Sequence, residues 1–127
     1  MSTEPSSPAL AKSFLRPCLL LLLREQPAHG YELLERLRPL GFTRDDPGGV
    51  YRALRKLERE RLVRSTWQSS TEGPDRRIYE LTRAGMEELH RRAKALDRSR
   101  DVLDLFLSRY AEFVALDTGR AVRRAHA

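Results

Sequence analysis

The sequence predicts a mainly α-helical domain with one small β-hairpin, followed by a single long helix. Three observations carry that reading. Apolar residues recur at helical spacing in three short segments before Leu62. The period then drops to two over residues 63–68 and 76–81. From Met86 onward a heptad pattern continues as far as Val114.

Each element has a local cause. Leu15, Cys18, Leu19, Leu22 and Leu23 form the first helical stripe, and Pro27 closes it. Pro17 suits the first turn of that helix, so anything helical before it should be separate or bent. Gly30 precedes a second stripe of Leu33, Leu34 and Leu37, ended by Pro39 and Gly41. Asp46-Pro47 opens a third helix, Asp as cap and Pro at the first helical position. Its apolar face is Val50, Leu54 and Leu57. Val63, Ser65 and Trp67 then alternate with Arg64, Thr66 and Gln68, and Arg76, Ile78 and Glu80 with Arg77, Tyr79 and Leu81. The polar stretch 69–75 between them makes a two-stranded hairpin with a long tip.

Thr82 is positioned to cap the last helix, with Glu87 and Glu88 near its positive end. Met86, Leu89, Ala93, Leu96, Arg100, Leu103, Leu107, Tyr110 and Val114 alternate in steps of three and four, with Arg100 the one polar intruder. A helix from Thr82 to Leu116 would be roughly 50 Å long. No single domain of 127 residues can bury it alone, so it must meet a partner. The predicted organisation is a flexible arm over 1–13, a compact domain over 14–82, a dimerisation helix over 83–117 and a flexible tail over 118–127.

Composition narrows the function. The chain is 40% hydrophobic and 33% charged, with a net charge of +6, which is globular and favours a polyanionic partner. Residues 48–83 carry nine basic and five acidic side chains, a net of +4, against zero over 1–47 and +2 over 84–127. One cysteine, Cys18, excludes a disulfide framework. His29, His90 and His126 lie too far apart in sequence to join it as a metal cluster. The run Cys18 to Leu23 is too short to span a bilayer, and the start lacks the basic stretch of a signal peptide. The sequence therefore predicts a cytoplasmic protein with no membrane partner. It contains no Gly-rich phosphate loop, nucleophile elbow or metal-ligand spacing, so neither an enzyme nor a cofactor is predicted.

Three helices and then two strands is the order of a winged helix-turn-helix, in which a basic third helix enters a major groove and the hairpin reaches the adjacent backbone. Arg52, Arg55, Lys56 and Arg59 lie away from the apolar stripe of that helix, and the hairpin adds Arg64, Arg76 and Arg77. Glu58 and Glu60 are close enough in sequence to neutralise the helix instead, which would leave an ordinary solvated face.

Three blocks resemble the PadR family of transcriptional regulators. They are His29-Gly30-Tyr31-Glu32, then Gly48-Gly49-Val50-Tyr51-Arg52-Ala53-Leu54-Arg55-Lys56-Leu57-Glu58, then Arg76-Arg77-Ile78-Tyr79-Glu80-Leu81-Thr82-Arg83-Ala84-Gly85. The family carries H-G-Y-E, G-T-L-Y-P-A-L-x-R-L-E and R-x-Y-x-L-T-x-x-G in the same order, and the resemblance covers about residues 14–90. The single C-terminal helix is similar to the family's shorter members. The resemblance implies a homodimeric repressor whose C-terminal helices pack on the other subunit and whose winged domains read an inverted repeat. By position, Tyr51 would face the DNA backbone, and His29 and Tyr31 would flank the start of the second helix. Gly49 replaces the family's Thr and Arg52 its Pro, so an operator sequence cannot be carried across.

The candidate DNA-binding residues are His29, Arg44, Gly49, Tyr51, Arg52, Arg55, Lys56, Arg59, Ser70, Thr71, Arg76 and Arg77. The candidate dimerisation residues are Leu15, Leu19, Met86, Leu89, Leu96, Leu103, Phe106, Leu107, Tyr110 and Val114. Tyr51 is read as a phosphate donor or a half-buried core residue, and His29 as a helix cap or a phosphate contact. Tyr31 is expected to pack between helices, Trp67 against the hairpin or the long helix, and Cys18 as an inert buried thiol. Arg100 either lies in the seam, where it fixes register or pairs with Asp97, Asp101 or Asp104 of either chain, or turns outward if the seam shifts towards Val102 and Phe106. The predicted partners are an operator duplex and a second copy of the chain. An unidentified small-molecule effector, if one exists, would act by changing the angle between the winged domains. The alternatives are a winged module whose long helix docks on another protein, and a ligand-controlled activator on the same fold.

Overall fold

The computed structural model describes residues 8–43 and 47–126, and side chains over 14–43 and 47–119. In chain order the elements are α1 (Pro8–Glu25), β1 (Ala28–His29), α2 (Gly30–Arg36), a single 3₁₀ turn (Arg38–Leu40), α3 (Pro47–Arg59), β2 (Val63–Gln68), β3 (Arg76–Leu81) and α4 (Arg83–His126). They divide into two compact units, Met1–Arg92 and Ala93–Ala127.

The first unit is built on the apolar stripes of its helices. Cys18, Leu19, Leu20, Leu22 and Leu23 of α1 close over Leu33 and Leu37, and over Val50, Leu54 and Leu57 of α3. Val63 and Tyr79 complete the core from the sheet. Helix α1 departs from the sequence expectation: it starts at Pro8, inside the predicted flexible arm, and runs straight through Pro17. An interior proline costs roughly 3 kcal/mol. Burying one leucine recovers roughly 1.5–3 kcal/mol, and this helix buries four, so packing outweighs the lost hydrogen bond.

Helix α2 ends where its leucine stripe ends. The 3₁₀ turn follows, and Gly41 takes φ 97°, a left-handed value that suits glycine. Helix α3 begins at Pro47 as predicted; the cap assigned to Asp46 lies outside the described residues. Its C-terminus closes with Leu62 N–H donating to Leu57 O at 2.9 Å and Arg61 N–H to Glu58 O at 2.9 Å. That pair of bonds is a Schellman closure. Arg61 occupies the left-handed position at φ 63°, where glycine is usual.

The hairpin forms over the two predicted strands, with Val63 opposite Leu81 at one end and Gln68 opposite Arg76 at the other. A third strand was not legible in the sequence. Ala28 pairs with Tyr79 and His29 with Ile78, giving the order β1-β3-β2. Two residues are too few to show any alternation, so only the fold reveals the pairing.

Thr82 caps α4 as predicted, its hydroxyl accepting the Gly85 N–H at 3.0 Å. Leu89 packs partly buried against the core, which is why the first unit extends to Arg92 rather than ending at the hairpin. The helix runs to His126, past the predicted end near residue 117. Thr118-Gly119 weakens a helix but does not stop one, and no proline follows.

In the second unit Val102, Leu103, Leu105, Phe106, Leu107, Tyr110, Phe113, Val114 and Leu116 are all exposed. Leu19, by contrast, is wholly buried within its own domain, so it is a core residue and cannot line a dimer surface. Leu15 is likewise packed against that core.

Candidate nucleic-acid interface

Helix α3 presents two unlike faces. Val50, Leu54 and Leu57 are buried, while Arg52, Arg55, Lys56 and Arg59 are exposed on the far side. Arg52, Arg55 and Arg59 fall within roughly 60° of one another around the helix axis, with Lys56 beside them. The acids that could have neutralised this face are used elsewhere. Glu58 accepts the Ser65 hydroxyl of β2 at 2.7 Å. Glu60 pairs with Arg16 of α1, which holds its carboxyl below the usual carboxylate range. Among the described residues, Arg55, Lys56 and Arg59 take part in no ion pair. Their charge therefore remains directed at solvent.

The wing arginines separate into two kinds. Arg64 is paired with its cross-strand neighbour Glu80 at 2.7 Å, so it contributes little to the positive field. Arg76 and Arg77 rest instead on neutral aromatic rings and keep their charge. Arg76 donates to the Tyr31 hydroxyl at 2.6 Å and its guanidinium lies 5.2 Å from that ring. The Arg77 guanidinium lies 5.3 Å from the Trp67 ring, its cross-strand partner. Such cation–π contacts orient an arginine without neutralising it.

One aromatic expectation changes here. Tyr31 does not pack between helices; it is 48% exposed and stacks parallel on His29, ring centroids 5.5 Å apart. Position explains this, because Tyr31 follows Gly30 at the first turn of α2, beside the β1 edge that the sequence did not disclose. Trp67 lies against the hairpin, one of its two expected partners, with Arg77 over its ring, and is nonetheless 66% exposed.

His29, Gly30, Tyr31, Tyr51, Arg55, Arg76, Arg77 and Tyr79 line a cleft of about 320 Å³ between the start of α2, α3 and β3. Gly30 makes this approach possible, since a Cβ there would lie 2.3 Å from Tyr51 Cε1. Tyr51 is half-buried, packed against the core, and at the same time borders the cleft. His29 precedes α2 with its N–H donating to Glu32 Oε1 at 2.7 Å, and its Nδ1 lies 3.4 Å from Arg77 O. Burial of Tyr79 at the floor raises its phenol above the ordinary value. The cleft therefore offers hydroxyls, an imidazole and guanidinium groups to an anion.

The remaining candidates are more scattered. Gly49 is half-buried on α3. Thr71 is exposed at the hairpin tip, and Ser70 spends its hydroxyl on the Glu72 N–H at 3.3 Å, shaping the loop. Arg44 lies outside the described residues. Sequence reasoning missed Arg16, whose contact with Glu60 spans 44 positions and leaves no local signal. Among the described residues no group of three His, Cys, Asp or Glu could hold a metal, and no helix is long and apolar enough to cross a membrane. Cys18 is buried, which pushes its thiol up to about 11 and leaves it protonated at neutral pH.

The chain is similar to known proteins in sequence and fold. A PadR-like transcriptional regulator from Bacillus cereus has 28% sequence identity, with a TM-score of 0.69 over 78% of this chain and 96% of that one. Bacillus subtilis PadR, solved in complex with operator DNA, is similar in fold at 24% identity and TM-score 0.55, over 61% of this chain and 45% of that one. A Mycobacterium tuberculosis protein described as a probable transcriptional regulator is 36% identical over 75 residues, 58% of this chain. The chain spans 22% and 40% of the length of the two curated relatives it matches. The family described as the transcriptional regulator PadR-like family matches residues 19–91, more than half of the chain. The chain therefore belongs to the PadR-like family, whose members are transcriptional regulators and not enzymes.

Proposed function

We propose that this protein is a homodimeric repressor that binds an inverted-repeat operator. The observation that carries the reading is the solvent face of α3, where Arg52, Arg55, Lys56 and Arg59 stand exposed while Glu58 and Glu60 are drawn to other partners. Arg76 and Arg77, held on Tyr31 and Trp67, extend the same field along the wing. In this reading α3 enters a major groove, and the cleft and wing grip neighbouring phosphates. That Bacillus subtilis PadR was solved on operator DNA supports the same mode for a chain of like fold.

The dimer is proposed from the second unit. A run of large apolar side chains from Val102 to Leu116 stands exposed on one helix, a patch of the kind that marks a protein contact. A second copy of that helix would cover it. Arg100 pairs with Asp97 on its own helix, a pairing open to an Arg100 within the seam as well as to one turned outward. Met86 and Leu96 would extend the contact, while Leu89 is given to its own core, and the spacing of the half-sites would follow from the dimer.

The experiment is a fluorescence-anisotropy titration of the whole protein against its upstream DNA and a scrambled duplex, at about 50 and 200 mM salt. A gap of roughly a thousandfold between the two duplexes, with one dimer per site, supports the operator reading. Equal, salt-labile binding to both would overturn sequence-specific autoregulation, and a monomer in solution would overturn the dimer.

A further inference from the structure

Arg16 belongs to α1, yet it joins the end of α3 to the start of α4. Its guanidinium pairs with Glu60, the residue after the last turn of α3. Its Nε is buried without a hydrogen bond, 3.8 Å from Glu88 Oε2. Glu88 in turn receives Arg91 and Arg92, each at 2.8 Å. Three arginines thus surround two carboxylates on the side of the domain where α1, α3 and α4 meet. Glu88 is little exposed, and the hydrogen bonds from Arg92 and Arg91 hold its carboxyl below the usual range.

What matters for DNA binding is the place of Glu60 in the sequence. It stands four residues after Lys56 and directly after Arg59. Side chains four apart on a helix are neighbours, and a Lys–Glu pair at that spacing attracts. Left to itself, Glu60 would fold back on Lys56 and occupy a cation that could otherwise meet a phosphate. Arg16 offers a partner from another helix, its guanidinium lying 3.8 Å from the Glu88 carboxylate as well.

We propose that Arg16 is a positioning residue for DNA binding: by holding Glu60 against α1 it keeps that carboxylate off Lys56 and Arg59. The proposal rests on the DNA-binding reading above. It assigns Arg16 no contact with DNA.

A double-mutant cycle tests it on the full chain. The probe is a random-sequence duplex, followed by anisotropy between about 50 and 200 mM salt, so that the slope counts phosphate contacts at about 0.9 each. Arg16→Met keeps the aliphatic stem and removes the charge. It should lower affinity roughly fivefold and flatten the slope by about one contact. Glu60→Gln alone should change affinity less than about twofold, because Glu60 makes no ion pair with Lys56 and acts on it only through a longer-range attraction, and the double variant should regain the affinity of Glu60→Gln. Arg16→Lys, still able to pair, should stay near the parent.

An Arg16→Met loss of the same size in the Glu60→Gln background would overturn the proposal, since the cause would then be the charge or the packing of Arg16 itself. Should Arg16→Met fail to fold, Glu60→Gln decides alone: a steeper slope by one contact would mean that Glu60 had been sitting on Lys56. If the parent protein does not bind the duplex at low salt, the DNA-binding reading fails first, and the two failures are distinct.

Discussion

Replacing Gly85 by alanine would strike the joint between the winged domain and α4, and its cost can be worked from geometry. A Cβ at Gly85 would lie 2.1 Å from Leu62 O and 2.6 Å from Leu81 Cδ1, where ordinary contact begins at 3.4 Å. The leucine side chain can turn away, but the carbonyl cannot. Leu62 O accepts the Thr82 N–H at 3.1 Å and lies 3.0 Å from the Thr82 hydroxyl, so it is held on the very residue that caps α4. Relief therefore means giving up one or two hydrogen bonds, about 1 kcal/mol each, plus overpacking strain of about 1–3 kcal/mol. Against this stands a helix-propensity gain of at most about 1 kcal/mol. The net is a destabilisation of about 1–4 kcal/mol, or a drop of roughly 5–15 °C in melting temperature. Thermal unfolding followed by circular dichroism measures it. Gly119→Ala is the control, because nothing lies within 4 Å of a Cβ there and the melting temperature should hold or rise. A Gly85→Ala protein as stable as its parent would refute the packing argument.

Arg55→Ala should weaken operator binding about tenfold, worth ~1.4 kcal/mol, while gel filtration still reports a dimer; unchanged affinity would remove Arg55 from the interface. Leu103→Asp places a charge in the exposed apolar run of α4 and should dissociate the dimer and abolish tight DNA binding together; sedimentation showing an intact dimer would move the seam elsewhere. Acid should also loosen the first unit. Glu60 and Glu88 are held below their ordinary value of 4.5, so their stabilisation is present above that pH and is lost as pH falls through the lower folded values. Melting curves from pH 7 downwards should show that loss, and Glu88→Gln should shrink it; an identical pH profile in that variant would count against the cluster.

Much of this protein follows from the order of its side chains. The period of three to four in α2 and α3, the period of two in β2 and β3, and Thr82 before a long heptad each have a cause within a few residues, so they can be read locally. The basic residues of α3 were legible for the same reason, since the apolar stripe Val50, Leu54 and Leu57 assigns Arg52, Arg55 and Arg59 to the other side. Where distant chain segments compete, local reading ran out. Pro17 predicts a break, but burial of the leucines around it carries α1 onward. Leu19 fits an interface pattern and proves to be core, because period alone does not say which partner a stripe meets. Strand β1 exists only through its pairing with β3, and that edge sets Tyr31 and His29 beside Arg76 and Arg77.

The sequence by itself determined α2, α3, the two hairpin strands, the cap of α4 and the side of α3 that carries charge, because backbone periodicity and capping act over one or two turns. Only the tertiary structure decided which charges stay available. Glu58 and Glu60 lie within reach of the arginines in sequence, yet Ser65 and Arg16 take them, and that choice depends on which helices and strands come to rest beside one another.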